Sequence, residues 1–291
     1  MNATKQADAP RARTLSQYFE RTALRIPDTP AVVCGPVTLT YRELDRAANR
    51  LAHRLRERGI GRGDPVGIRL PDRVEEYVAL LGVLKAGAAY LPLPQDCPAT
   101  GLRLTALVSE PGQAEEDAPL VELPATGPAH SPSADLDPAA PCYLCRPRGL
   151  AGVPATHAFT HQDVLTFVRV AAPGLGVLPG DRVFQGTPIS QEFHLHELWP
   201  CFVAGATVVA PAEGDLPGLL ASARVTVFCG TGAQLSELRP APASVRGVLL
   251  HGALLPAELV LDLPGSRVFS CSGPIRAASW GRARSASKET S

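Results

Sequence analysis

Apolar residues recur along the first third of the chain at the spacings that regular backbone imposes. Leu44, Ala47, Ala48, Leu51 and Leu55 fall three and four apart, which places them on one face of a helix. Thr40 with Glu43 three residues later forms a capping box at its start, and Gly59 ends it. Pro65 to Leu70 reads as a short strand. Tyr77 to Lys85 reads as a helix, with Asp72 and Glu75 repeating the capping arrangement, and Ala88 to Leu93 is apolar and extended. Strand, helix, strand at this spacing predicts a parallel crossover.

Residues 94–141 break the rhythm with nine prolines, few aromatics and an acidic cluster at Glu115, Glu116 and Asp117, a composition that predicts a loop or linker. Past Cys142 the alternation resumes. A helix is predicted from Gln162, a strand near Val183, a helix near His196 and a strand over Thr207 to Ala210. Further strands follow at Val225 to Phe228, Val248 to Leu250 and Arg267 to Ser270. The expected division is a disordered tail over 1–14, an α/β unit over 15–93, a proline-rich linker over 94–141, a second α/β unit over 142–280 and a disordered tail over 281–291. The expected fold class is three-layer α/β with mostly parallel sheets.

Charge narrows the function classes. The 291 residues carry 28 basic and 28 acidic side chains, a balance that argues against nucleic acid or an anionic membrane as the main partner. No apolar stretch approaches the roughly 18–20 residues of a membrane span, and the opening MNATKQADAPRAR lacks an apolar signal core, so a cytoplasmic protein is expected. Seven scattered cysteines then read as reduced thiols. Lysine occurs only at positions 5, 85 and 288, which removes lysine chemistry from residues 86 to 287.

LTYREL at 39–44 and LKAGAAYLPL at 84–93 resemble the first two core motifs of adenylation domains from nonribosomal peptide synthetases, within the AMP-forming acyl and aminoacyl ligase superfamily. The resemblance continues in order through CYLCRPRGLAGVPATHAFTHQDVL at 142–165, SQEFHLHELW at 190–199 followed by AGATVVA, and VFSCSGPIRAASW at 268–280. It implies the N-terminal subdomain of an adenylate-forming enzyme, and a family reaction in which a carboxylate and ATP give acyl-AMP and pyrophosphate.

Two motifs depart from the family. Its phosphate loop reads approximately YTSGSTG, one variable residue, then PKG, with hydroxyls and backbone amides around the ATP phosphates. Here Gly149, Gly152, Pro154, Thr160 and His161 hold the register, while Arg146, Pro147, Arg148, Leu150 and Ala151 replace the aromatic and the hydroxyls. Ala155 stands where the lysine belongs. In the later motif the family's aromatic, Gly, Pro, Thr, Glu becomes Ser272, Gly273, Pro274, Ile275, Arg276, so a cation replaces the carboxylate that serves the magnesium nucleotide. The resemblance further implies a ribose-binding aspartate, a hinge and a mobile C-terminal subdomain with its own lysine. These have no counterpart here, since Lys288 has no motif around it, and a truncated member is expected. No cofactor is expected, with weak ATP and magnesium binding the most that Arg146 and Arg148 would retain as point charges.

The same resemblance places Glu192 where an aspartate pairs with the amino group of an amino acid. It places Phe193, His196, Cys229, Leu249, His251, Cys271 and Ser279 around the side chain; as residues alone, Phe193 and Leu249 read equally as core, and His196 and His251 as ordinary half-buried histidines. It also implies a partner, an MbtH-like accessory protein or another synthetase subunit. The alanine of a Pro-Ala pair after LKAGAAYLPL would be the contact, here Pro98 and Ala99; the pair also reads as the start of a turn.

Cys142, Cys145, His157 and His161 have intervening lengths of two, eleven and three residues, close to a zinc-finger spacing, but Gly152, Val153 and Pro154 oppose the helix that would carry both histidines. His194, His196 and Glu197 invite a metal reading that local amphipathicity also explains. No metal site and no catalytic residue are assigned, and Cys271 on its Ser-Gly turn reads as a structural thiol. The expected function is a binding or scaffolding module that is inactive alone. The alternative is a residual amino-acid-activating ligase completed by a separate chain.

Overall fold

The computed structural model describes residues 12–71, 73–95, 103–113, 118–132, 136–145, 156–212, 214–238, 241–251, 267–272 and 279–282. In chain order its elements are α1 (Leu15–Arg25), β1 (Pro30–Cys34), β2 (Val37–Thr40), α2 (Tyr41–Glu57), β3 (Pro65–Arg69), α3 (Arg73–Ala86), β4 (Ala89–Pro92), β5 (Ala106–Ser109), β6 (Leu120–Val121), β7 (Pro141–Cys145) and β8 (His157–Thr160). There follow α4 (His161–Leu175), β9 (Arg182–Gln185), α5 (His194–Ala204), β10 (Thr207–Val209), α6 (Leu216–Ser222), β11 (Val227–Thr231), α7 (Gly232–Ser236), β12 (Gly247–His251), β13 (Arg267–Ser272) and β14 (Ser279–Arg282).

The predicted capping box is present: the Thr40 hydroxyl accepts from the Glu43 amide while the Glu43 carboxylate accepts from the Thr40 amide. Leu44, Ala48, Leu51 and Leu55 are buried, and α2 ends two residues before Gly59. Thr14 and Gln17 form the same box at α1, a helix the apolar pattern did not predict.

An eight-stranded sheet runs β14-β13-β12-β11-β9-β10-β1-β2, and a six-stranded sheet runs β6-β5-β3-β4-β7-β8. Pairing is parallel except at the hairpins β1/β2, β7/β8 and β13/β14. Between the sheets lies a helical layer. α3 is buried nearly all round because it meets β3 and β4 on one side and β1 on the other, which is why RVEEYVALLGVLKA lacks a polar face. Alternation along the larger sheet serves two cores: Val183, Val208, Val227 and Leu249 face the central layer, while Phe184, Val209, Phe228 and Val248 pack with Leu220 of α6 and Leu235 of α7. This is the mostly parallel, three-layer α/β architecture expected.

The sheets do not follow the halves of the sequence. β1 pairs with β10, Val32 opposite Val208, so the first unit donates a hairpin to the larger sheet. β7 pairs with β4, Tyr143 opposite Tyr90, so the second unit donates one to the smaller. The proline-rich stretch also differs from a bare linker. β5 lies parallel to β3, β6 lies parallel to β5, and Ala106, Leu107, Val108 and Val121 are fully buried. Three consecutive apolar residues suffice for a strand covered on both faces, and the surrounding prolines sit in its connections.

Lys85 is buried in the helical layer, its amine ion-paired to Glu20 and, at 2.9 Å, to Asp45. This lysine of the LKAG motif ties α3 to α1 and α2. Gly82, one turn earlier, allows α3 to approach α2: an added Cβ would stand 2.7–2.9 Å from Cβ, Cγ and Cδ2 of Leu51. Gly82→Ala gains about 1 kcal/mol of helix propensity and meets an overpacking cost of about 1–3 kcal/mol. We expect a net loss of about 1 kcal/mol in urea unfolding; an unchanged or raised stability would show that Leu51 gives way. Among the described residues no helix is long and apolar enough to cross a membrane.

Candidate functional site

The parallel strands of the larger sheet deliver Gln185, Thr231, His251 and Ser272 to a common C-terminal edge, where open α/β sheets place ligand crevices. Helix α5 crosses beneath this edge and carries His194, His196 and Glu197.

Glu197 is fully buried. Its Oε1 accepts from His251 Nε2 at 2.8 Å and from the Thr187 hydroxyl at 2.7 Å, and its Oε2 accepts from the Thr187 amide at 3.1 Å. A carboxylate without water needs this many donors. Thr187 is set by Gln185, whose side-chain amide donates to the Thr187 carbonyl and whose oxygen accepts from Tyr77 of α3. Gly186 between them is required by close approach, since a Cβ would lie 2.5 Å from the Cys229 carbonyl. Among the described residues His251 Nδ1 has no hydrogen-bond partner.

Aromatic packing closes the cluster. Phe193 stacks on His251 with ring centroids 4.6 Å apart, and Phe167 of α4 stacks on His196 at 4.4 Å. His196 meets Phe193 edge-on at 5.6 Å and lies 5.8 Å from His251. Burial, with the His251 and His194 rings adding to it, pushes the His196 pKa well below its ordinary value. His194 stands apart, facing the smaller sheet. Its Nδ1 donates to the Gln191 carbonyl at 2.7 Å, which leaves Nε2 to accept from the Tyr90 hydroxyl at 2.9 Å. Burial lowers its pKa to about 4.

The residues expected around an amino acid thus separate. Phe193, His196 and His251 touch one another. Cys229 and Leu249 sit opposite each other on β11 and β12 and belong to the central core, where burial pushes the Cys229 thiol well up. Glu192 is half-buried and lies electrostatically close to Tyr143 and Cys145 of β7; burial first, then Glu192, raises the Cys145 thiol to about 11. Cys271 pairs in register with His251, and Ser279 with Ser272. Arg146, Arg148, Gly149, Gly152, Pro154 and Ala155, together with Gly273, Pro274 and Arg276 and with Pro98 and Ala99, lie outside the described residues.

Cys142 and Cys145 are buried on β7 as free thiols, His157 is exposed opposite Cys145 on β8, and His161 Nδ1 accepts the Leu15 amide at 3.2 Å. No group of three or more potential metal ligands forms among the described residues. Sequence reasoning passed over Thr187, Gln185, Tyr77 and Phe167. The signal available for the first two was their place at and just past the end of β9, at the edge where ligands gather.

Two parallel-rich sheets around a buried helical layer, with the crevice at the strand ends, define an adenylate-forming fold. The family model described as AMP-binding enzyme matches residues 19–112 and 104–289, and the chain belongs to that family. It is 34% identical to the phosphinothricin tripeptide synthetase PhsC of Streptomyces viridochromogenes over 93% of its length, which is 27% of PhsC. It is 31% identical to surfactin synthase subunit 2 of Bacillus subtilis over 86% of its length, 8% of that protein. The chain therefore spans about a quarter or less of these relatives. Among solved structures, the nonribosomal peptide synthetase FmoA3 superposes with a TM-score of 0.85 at 24% identity, covering 94% of this chain and 33% of that one. The N-terminal subdomain of Klebsiella oxytoca NpsA superposes with a TM-score of 0.82 at 19% identity, covering 94% of this chain and 76% of that one. These likenesses show the fold.

Proposed function

We propose that this chain is an adenylation-fold module of nonribosomal peptide assembly that binds or scaffolds and does not itself form acyl-AMP. The observation that carries this reading is the packing of three expected pocket positions against one another. Phe193, His196 and His251, positions the family resemblance assigns to an amino-acid side chain, stack on one another and on Phe167 around the buried Glu197. Separating rings in van der Waals contact to admit a side chain forfeits their packing and uncovers a buried carboxylate.

The donor chemistry agrees. Ala155 offers no ammonium to a transferring phosphate, and Arg276 offers no carboxylate to magnesium. A magnesium nucleotide is poorly served by this set, and weak binding is the most it would support. On this reading the module works in the cytoplasm, with another synthetase subunit or an MbtH-like protein at Pro98 and Ala99 as its partner. The half-buried Glu192, which keeps the charge expected opposite an amino group, favours the second reading of a ligase completed by a separate chain.

The test is amino-acid-dependent exchange of pyrophosphate into ATP across a panel of amino acids. It is run with the chain alone and with a separately supplied C-terminal adenylation subdomain. No exchange above the no-protein control is expected in either arm, because groups that stabilise transition-state charge are each worth about 100- to 1,000-fold in rate. Exchange by the chain alone overturns the proposal, and exchange only with the added subdomain establishes the second reading.

A further inference from the structure

A second feature lies away from the crevice, on the outer flank of the helical layer. A groove of about 860 Å³ opens between α1, α4 and the end of α5, lined by Tyr18, Arg21, Leu24, Arg25, Arg169 and Val203 among others. Arg21 and Arg25 are one helical turn apart on α1, and both are exposed. Arg169 reaches across from α4. Its Nη2 donates to the Tyr18 hydroxyl at 3.1 Å, and its guanidinium carbon lies 6.0 Å from the centre of the Tyr18 ring, so the third cation is held in place. Among the described residues no carboxylate lines the groove. The acids nearest in sequence are engaged elsewhere, Glu20 with Lys85 and Ser131 and Asp28 with Arg42. Between the arginines stands Leu24, 83% exposed, the most exposed large apolar side chain among the described residues.

We propose that this groove docks an acidic, amphipathic segment of a partner protein, carboxylates on Arg21, Arg25 and Arg169 and an apolar side chain on Leu24 and Val203. Exposed guanidinium forks that make no ion pair among the described residues match carboxylates in pairs. An exposed leucine in their midst gains only from a ligand with apolar surface of its own. That combination disfavours the two other anionic occupants. A free phosphate would leave Leu24 in water, and it would gain little from exposed charges in high dielectric. A nucleic acid calls for an extended basic stripe, whereas this chain is neutral overall and the patch covers two helical turns. The inference stands independently of the reading of the crevice.

The experiment uses the full chain and fluorescence anisotropy with a labelled helical peptide of glutamate and leucine, beside the same peptide with glutamine or lysine in place of glutamate. Saturable binding of the glutamate peptide only is expected, weakened at least about tenfold by the combined Arg21→Glu, Arg25→Glu and Arg169→Glu variant and by Leu24→Asp. Binding should also weaken from low salt to about 0.15 M. All four side chains are exposed or face solvent, so the unfolding midpoint of each variant should match the parent and serves as the control for folding. Absence of saturable binding, equal binding of the glutamine or lysine peptide, or indifference to both variants overturns the proposal. Displacement of the glutamate peptide by inorganic phosphate or a single-stranded oligonucleotide at comparable concentration overturns it in favour of a general anion site.

Discussion

At pH 5 the folded protein is expected to be at least about 4 kcal/mol less stable than at pH 8, well before most carboxylates protonate. The cause is a set of buried, neutral histidines: His161 and His194 supply about 4 kcal/mol, and His196, held well below its ordinary value by burial, adds to it. Burial lowers both His161 and His194 from 6.5 to about 4, opposed at His161 by Asp137. The unfolded chain therefore takes up protons near 6.5 that the folded chain takes up only near 4. Stability is complete above the unfolded value and is lost as pH falls toward the folded one, at about 2 kcal/mol per histidine by pH 5.

Geometry names the casualty at His161. Its Nδ1 accepts the Leu15 amide at the first turn of α1, so protonation replaces an acceptor with a donor and releases α1 from the start of α4. The N-terminus of α4 disfavours the cation as well. His161→Asn offers an oxygen to the same amide without titrating, and should remove about 2 kcal/mol of the acid loss when urea unfolding is followed from pH 8 to pH 5. A flat wild-type profile over that range would show that these histidines are hydrated.

Glu197→Ala should cost about 3–5 kcal/mol, because three buried donors lose their acceptor at about 1–3 kcal/mol each. The substitution strands the Thr187 amide and hydroxyl and the His251 Nε2 proton together. His251→Ala leaves the carboxylate buried with Thr187 as its remaining donor, and should be comparably damaging. Because each single change exposes the other partner's desolvation, the double variant should be less destabilised than the sum by about 1–3 kcal/mol. Strict additivity would mean that Glu197 and His251 do not interact in solution, and would remove the pair from the account of the crevice.

How much of this was legible beforehand divides by distance along the chain. Thr40 and Glu43 are three residues apart, and their mutual cap was readable without a fold. The order of β9, α5, β10, β11, β12 and β13 was readable in the same way, each element announced by its own apolar run. β5 escaped because the proline content around it outweighed three apolar residues, and β6 is only two residues long. The site was half visible. Resemblance brought Glu192, Phe193, His196 and His251 forward as pocket positions, but that Phe193 and His251 stack, and that Glu197 is the carboxylate His251 needs, depends on the end of β12 meeting the first turns of α5 across 54 residues of sequence.

By itself the sequence determined the strongly patterned local elements, such as α2, β3, α3 and β4, the adenylation-like motif order, the charge balance and the substitutions at Ala155 and Arg276. Periodicity, caps and motif spacing are short-range quantities that a linear reading can carry. The exchange of hairpins between the two sheets, the Lys85 ion pairs within the helical layer and the Phe193, His196 and His251 cluster were decided only in three dimensions. So was the convergence of Arg21, Arg25 and Arg169 on one groove. Each joins residues from separate elements through contacts that no repeat or spacing records, and that form only once the helical layer is enclosed by both sheets.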